Sequence, residues 1–448
     1  WGIVLLVSGL YLWWPRKGPG VGGILWPRAG QKGRLWWRDL HAVVGFWGAG
    51  FLLLRSAFAL GHAAILLAFL LSLAAGACHK RWNAIRMMPA IWWALGLYAM
   101  VLLGALYTSA PAADIKLHLS KYSKLLLVPV LLPLLIEQPW RQRCMDAYMV
   151  AMGGVLLSVY GNVFWQLPWS STQNQGWGVD HTVVGDYITQ NIMMVFFTLV
   201  AITRAQASLI PRVRWFWWLC ALLASLAVTQ LSNGRTGYVL LLVAIAIYIF
   251  TALQGQRRWL TLGALVSAVT IAVLSSPAAR ARIEAGIFQA SHSDSLKTTS
   301  VGGRITFWKN TLQLALEKPL EGWGTGSYHT VWCQRVTAEG WCQYGGWHPH
   351  NQYLFFWMEN GLLALLLFTL LVFAPAWASK HAARKDLPLL WSFTGIFAIN
   401  SLVNSPLFSG RESLFFILML ILLCAQARFG AREPVYQPAS GGPPASNT

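Results

Sequence analysis

Long apolar runs divide this chain at near-regular intervals, and no other feature restricts its fold so strongly. They lie at about 41–56, 59–78, 89–107, 123–136, 145–167, 187–202, 215–231, 235–253, 259–275, 352–376, 388–404 and 411–427, with a further run at 1–14. Most approach the roughly 20 residues that a helix needs to cross a bilayer, and tilt or an added turn extends the shorter ones. The runs are continuous rather than alternating, which excludes a membrane barrel. The chain has 448 residues, 56% of them hydrophobic and 11% charged, far more apolar surface than a soluble fold needs. The expected fold class is all-α: a polytopic helical bundle of about 12 transmembrane helices, with one large polar region at 276–350. No cleavable signal peptide is expected at the start.

Charge placement predicts how this bundle is oriented. One set of alternate loops holds fifteen Lys and Arg residues: Lys80, Arg81, Arg86, Arg141, Arg143, Arg204, Arg212, Arg214, Arg257, Arg258, Lys380, Arg384, Lys385, Arg428 and Arg432. The short loops of the other set hold four, Lys116, Lys121, Arg235 and Arg411. The bias puts the first set in the cytoplasm and region 276–350 on the opposite side. A net charge of +19 also suits an anionic substrate or membrane lipids. The charges are scattered between apolar spans, which argues against nucleic acid as a partner. The segments read as an N-terminal membrane piece at 1–56, a bundle at 57–275, a loop domain at 276–350, C-terminal spans at 351–430 and a disordered Pro, Gly and Ser-rich tail at 431–448. Cys78, Cys144, Cys220 and Cys424 lie in or beside apolar runs as packing residues. Cys333 and Cys342 share the polar region, where export would let them close a disulfide; two free thiols are the alternative.

The candidate chemistry gathers on the outer side. In Trp347-His348-Pro349-His350-Asn351-Gln352, Pro349 holds His348 extended and suits a helix start. The two imidazoles are expected at the wet mouth of a membrane helix, able to take a proton near neutral pH. A plain interfacial pair that satisfies backbone groups is the competing reading. His350 is expected to be the more important, with His348 peripheral and Asn351 free to orient a ring or a sugar. Arg235 stands in a very short turn, Ser232-Asn233-Gly234-Arg235-Thr236-Gly237, close to the hydrocarbon edge. Arg304 opens a stretch of helical character, and Gly322-Trp323-Gly324-Thr325-Gly326-Ser327-Tyr328 follows with glycines that permit close backbone approach. Arginine forks bind phosphate oxygens in pairs, and a histidine can draw a proton from an attacking hydroxyl. Outer-side carboxylates form no close acidic pair, and His348 and His350 lack the HExxH or cysteine context of a zinc site, so neither a metal nor another cofactor is expected.

Two resemblances follow from these motifs. Ser8-Gly9-Leu10-Tyr11-Leu12-Trp13-Trp14-Pro15-Arg16 and Leu35-Trp36-Trp37-Arg38-Asp39-Leu40-His41 resemble the PepSY-associated transmembrane segment, a likeness that stops near Arg55. About twelve spans, the Arg235 turn, the Arg304 helix, the glycine stretch to Tyr328, and His348 to Leu354 with Glu359 and Gly361 resemble the bacterial O-antigen ligase and polymerase superfamily over about 57–430. That resemblance implies a GT-C-like glycosyltransferase of the bacterial inner membrane with its site facing the periplasm. It implies transfer of a polysaccharide, with inversion, from undecaprenyl pyrophosphate to lipid A–core. His350 would be the base, Arg235 and Arg304 would bind pyrophosphate, and His348, Asn351, Tyr328 and Arg411 would support them. The alternatives are an O-antigen polymerase, a protein O-oligosaccharyltransferase and, from another class, a lipid-linked glycan transporter.

Overall fold

A computed structural model describes residues 86–136, 138–171, 180–232, 234–275, 277–291, 299–336 and 341–430. The runs at 1–14, 41–56 and 59–78, the PepSY-like segment and the expected tail lie outside the described residues, as does Cys78. Every regular element among the described residues is a helix. The main ones are α1 (Pro89–Tyr107), α2 (Ala112–Tyr122), α3 (Gln138–Phe164), α4 (Tyr187–Ala207), α5 (Pro211–Gln230), α6 (Arg235–Ala252) and α7 (Gln256–Ser275). They continue with α8 (Pro277–Ser291), α9 (Ser300–Glu317), α10 (Tyr328–Arg335), α11 (Gln352–Val372), α12 (Leu387–Val403) and α13 (Gly410–Phe429).

Eight helices among the described residues are long and apolar enough to cross a membrane. The all-α, multi-pass reading therefore holds, while eight such spans are seen where about twelve are expected. The run at 89–107 is helix α1 residue for residue. The run expected at 145–167 begins earlier and forms Gln138–Phe164. The run expected at 123–136 is no single α-helix: it divides into Ser123–Leu126, Leu127–Leu131 and Leu132–Ile136, alternately 3₁₀, α and 3₁₀. Pro129 and Pro133 each remove a donor from the α ladder. These pieces make a helical path of about 25 Å if straight, short of the roughly 30 Å hydrocarbon core.

Apolar faces sort the helices. Helix α4 is buried almost continuously from Thr189 to Ala201, and α13 is buried along most of its length. They form the centre with Phe393, Phe397, Phe415 and Phe416, where Phe393 and Phe416 each lie within 4.3–6.3 Å of the other rings. Helix α5 instead exposes Trp215, Phe216, Trp218, Leu219 and Leu222. Such a surface suits lipid, where exposed apolar side chains cost nothing.

Non-membrane ends meet at one pole of the bundle. Gln352 N–H donates to Asn404 O, tying α11 to the end of α12, and His181 N–H donates to Leu231 O. The region expected as an outer loop domain supplies α8, α9 and α10, and its glycine stretch docks on the membrane helices. Trp323 and Gly324 N–H donate to Met358 and Glu359 O, and Thr325 N–H donates to Gly104 O. This docking breaks α11: Gly361 adopts φ 78°, and a Cβ there would run into Leu320 O. Gly322 and Gly324 also have positive φ, and a Cβ at Gly322 would lie 2.6 Å from Glu359 O. The glycines expected to let a ligand approach thus let one backbone approach another.

Candidate functional site

Helix α11 starts because Asn351 caps it: its side chain accepts from Leu354 N–H at 3.0 Å. This gives Asn351 a backbone task through its side-chain oxygen. The residue just ahead, His350, has φ 52° and is the one described non-glycine residue with positive φ. Two bonds hold this uncommon conformation: His350 N–H donates to His348 Nδ1 at 3.2 Å, and Trp308 Nε1 donates to His350 O at 3.3 Å. The rings of His348 and His350 lie 4.2 Å apart. His348 is therefore no peripheral residue; it shapes the backbone of its neighbour.

The site is also drier than the sequence suggests. Both histidines are half-buried, and the Nδ1 of His350 has no hydrogen-bond partner. Phe307 stacks on the His350 ring at 5.9 Å, and Phe408 packs on His348 at 5.9 Å. Burial first, then the Arg304 charge, pushes His350 down to about 4, against a partial offset from Asn404. His348 is also held well below its usual 6.5, by burial, His350, Arg304 and Lys121 in that order. At neutral pH both rings are neutral and offer lone pairs.

The expected site residues divide in space. Arg304 follows the cap of α9, where Thr299 accepts from Gly302 N–H, and its charge bears on both histidines. Arg235 is the first residue of α6 and is exposed, with Gly286 of α8 close to its guanidinium. Arg411 is exposed and lies over Gly185. Tyr328 is fully buried, its ring against Trp332 and Phe355. Cys333 and Cys342 are joined as a disulfide.

Three contributors escaped the sequence reading. Lys121 sits over Phe408 at 5.4 Å and Trp347 at 6.0 Å, and its charge reaches His348. Asn404 lies beside His350 and donates to Glu412 at 2.9 Å. His118 pairs with Glu359: its Nδ1 is 3.0 Å from Oε2, while Oε1 accepts from Tyr328 N–H at 3.1 Å. This pair joins α2, which carries Lys121, to α11, which His350 precedes. A histidine on a short polar helix gives no sequence sign of a carboxylate partner so far along the chain.

Arg304, Lys121 and two half-buried neutral imidazoles thus form a cationic cluster with an unpartnered ring nitrogen, fit for an anion beside a proton donor. A family model described as O-antigen ligase matches residues 219–369, and one described as the PepSY-associated TM region matches residues 1–71. The first match contains Arg235, Arg304, His348 and His350 and leaves out Lys121, Asn404 and Arg411. An uncharacterized protein of Haemophilus influenzae is 26% identical over 168 residues, which is 35% of this chain and 41% of that relative. The chain thus spans under half the length of that relative. Residues 219–369 thus resemble the O-antigen ligase family within a multi-pass helical frame.

Proposed function

We propose that this protein is an O-antigen ligase that moves a polysaccharide from undecaprenyl pyrophosphate to lipid A–core at the periplasmic face of the inner membrane. The observation that carries the reading is the unpartnered Nδ1 of a neutral His350 beside Arg304. The acceptor hydroxyl oxygen attacks the anomeric carbon of the donor sugar. The bond from that carbon to the pyrophosphate oxygen breaks on the opposite face, so configuration inverts. His350 takes the hydroxyl proton. The leaving pyrophosphate carries its own charge and needs cations more than protonation, and Arg304 with Arg235 supplies them. The bound pyrophosphate also offsets the Arg304 charge that weakens His350 as a base, so donor binding makes the base stronger.

Region 276–350 lies outside the cytoplasm in this reading. The glycans of a strain lacking this gene test it. Loss of all polymer-capped lipopolysaccharide, with lipid-linked polymer accumulating, is the result expected of a ligase. A cap of one repeat unit would assign the protein as a polymerase, and an unchanged lipopolysaccharide would remove the proposal.

A further inference from the structure

The disulfide between Cys333 and Cys342 has a third member. His329 lies one turn before Cys333 on α10, and its Nε2 is 3.7 Å from Cys333 Sγ. The ligand atoms of His329, Cys333 and Cys342 all lie within 4.8 Å of one another. Two ligands on one tetrahedral zinc ion, at the usual Zn–S and Zn–N bond lengths, stand about 3.6 Å apart. The histidine and Cys333 therefore already have the spacing of a shared ion. A glycine makes room for this ring: a Cβ at Gly346 would lie 2.7 Å from His329 Cδ2. His329 is exposed and both cysteines are partly so, which leaves a path for an ion from solvent.

We infer that His329, Cys333 and Cys342 form a redox-gated site for a borderline-soft divalent cation such as Zn²⁺. Oxidised, the two sulfurs are bonded to each other and the site is closed. A dithiol reductant passes two electrons and two protons to the disulfide and is itself oxidised to a cyclic disulfide. The ion then binds both sulfurs as thiolates, releases their two protons, and takes the histidine as third ligand and water as fourth. The same turn stays clamped in either state, by a covalent bond or by the ion. That turn matters to its surroundings: a Cβ at Gly345 would lie 2.5 Å from Trp332 and 2.6 Å from Phe307, and Phe307 stacks on His350. The inference does not depend on which glycan the protein transfers.

The test uses the full chain purified in nanodiscs. It is oxidised, or reduced by a phosphine, and titrated with Zn²⁺ against a chromophoric chelator. The reduced wild type is expected to take up one ion more than the oxidised form and more than Cys333→Ser with Cys342→Ser, which keeps every other cysteine. His329→Gln is expected to weaken that uptake at least tenfold. Equal uptake by oxidised and reduced protein would overturn the inference. So would full-strength binding by His329→Gln, which would reduce the site to an adventitious dithiol. Far-UV circular dichroism establishes that each variant is folded before titration.

Discussion

The depressed basicity of His350 makes a demanding prediction about pH. In the free protein the ring titrates at about 4, so at pH 7 about one molecule in a thousand carries the proton there. The profile of kcat/KM reports the free enzyme. It should climb with pH through about 4 and stay flat from about 5 through neutrality, and no inflection should appear near 6.5. The kcat profile reports the donor-bound enzyme, in which pyrophosphate offsets Arg304, so its inflection should lie higher. Arg304→Gln removes one of the two causes of the depression and should raise the kcat/KM inflection while lowering kcat. The same groups set a stability window. Folded His350 holds its proton more weakly than the unfolded residue, so the folded state binds fewer protons below 6.5. Its contribution is complete above about 6.5 and is lost as pH falls towards about 4, amounting to about 3 kcal/mol. Initial transfer rates in nanodiscs from pH 4 to 8, with circular dichroism at each pH, separate catalysis from unfolding. Identical inflections near 6.5 in both profiles, unmoved by Arg304→Gln, would refute the reasoning.

Other perturbations follow from single contacts. Gly361→Ala forces a Cβ into Leu320 O at positive φ and should cost several kcal/mol in a thermal melt, whereas Gly255→Ala, with φ 58° and open space around it, should cost only about 1 kcal/mol. Removing His118 leaves Glu359 buried with one backbone donor, and His118→Ala should lower stability by about 3–5 kcal/mol, read by the same melt. Asn351→Ala loses a helix cap and should cost about 1 kcal/mol with the fold intact. Arg304→Lys keeps the charge but loses the fork; the rate of transfer should fall sharply while the melting temperature barely changes. Cysteine labelling from each side of the membrane should find positions in region 276–350 reactive from outside alone.

How much of this was readable beforehand depends on the range of the interaction. Helix α1 is a continuous apolar run between Pro89 and Tyr107, so its bounds follow from composition and a proline. Arg304 and the histidines were recognisable as residue types suited to phosphate and proton transfer. Their meeting was not, because α9 and the start of α11 are brought together by tertiary packing. The low titration of His350 is not legible in the sequence for the same reason: a position ahead of a helix reads as wet, but Phe307 and Phe408 close over the pair. Glycines at 322 and 324 signal a close approach, though of a ligand. Only the structure shows that the approaching groups are Glu359 backbone at Gly322, Thr108 and Gly104 at Gly324, and Leu320 backbone at Gly361. His118 and Lys121 share one face of α2 one turn apart, yet their partners come from α11 and from beside Phe408, which no local pattern encodes.

The central claim is that His350 carries the proton in metal-independent polysaccharide transfer. Purified wild type, His350→Gly, His350→Ala and His348→Ala should be compared for ligation of lipid-linked polymer to lipid A–core, with and without a chelator. His350→Gly relieves the positive φ and should fold at least as stably as wild type, yet with His350→Ala it should lose about 10²–10⁴ in rate while still binding the donor. His348→Ala should lose less, through the lost backbone contact to residue 350. A folded His350→Gly protein that ligates at the wild-type rate, or activity abolished by chelator and restored by a divalent ion, would contradict the account.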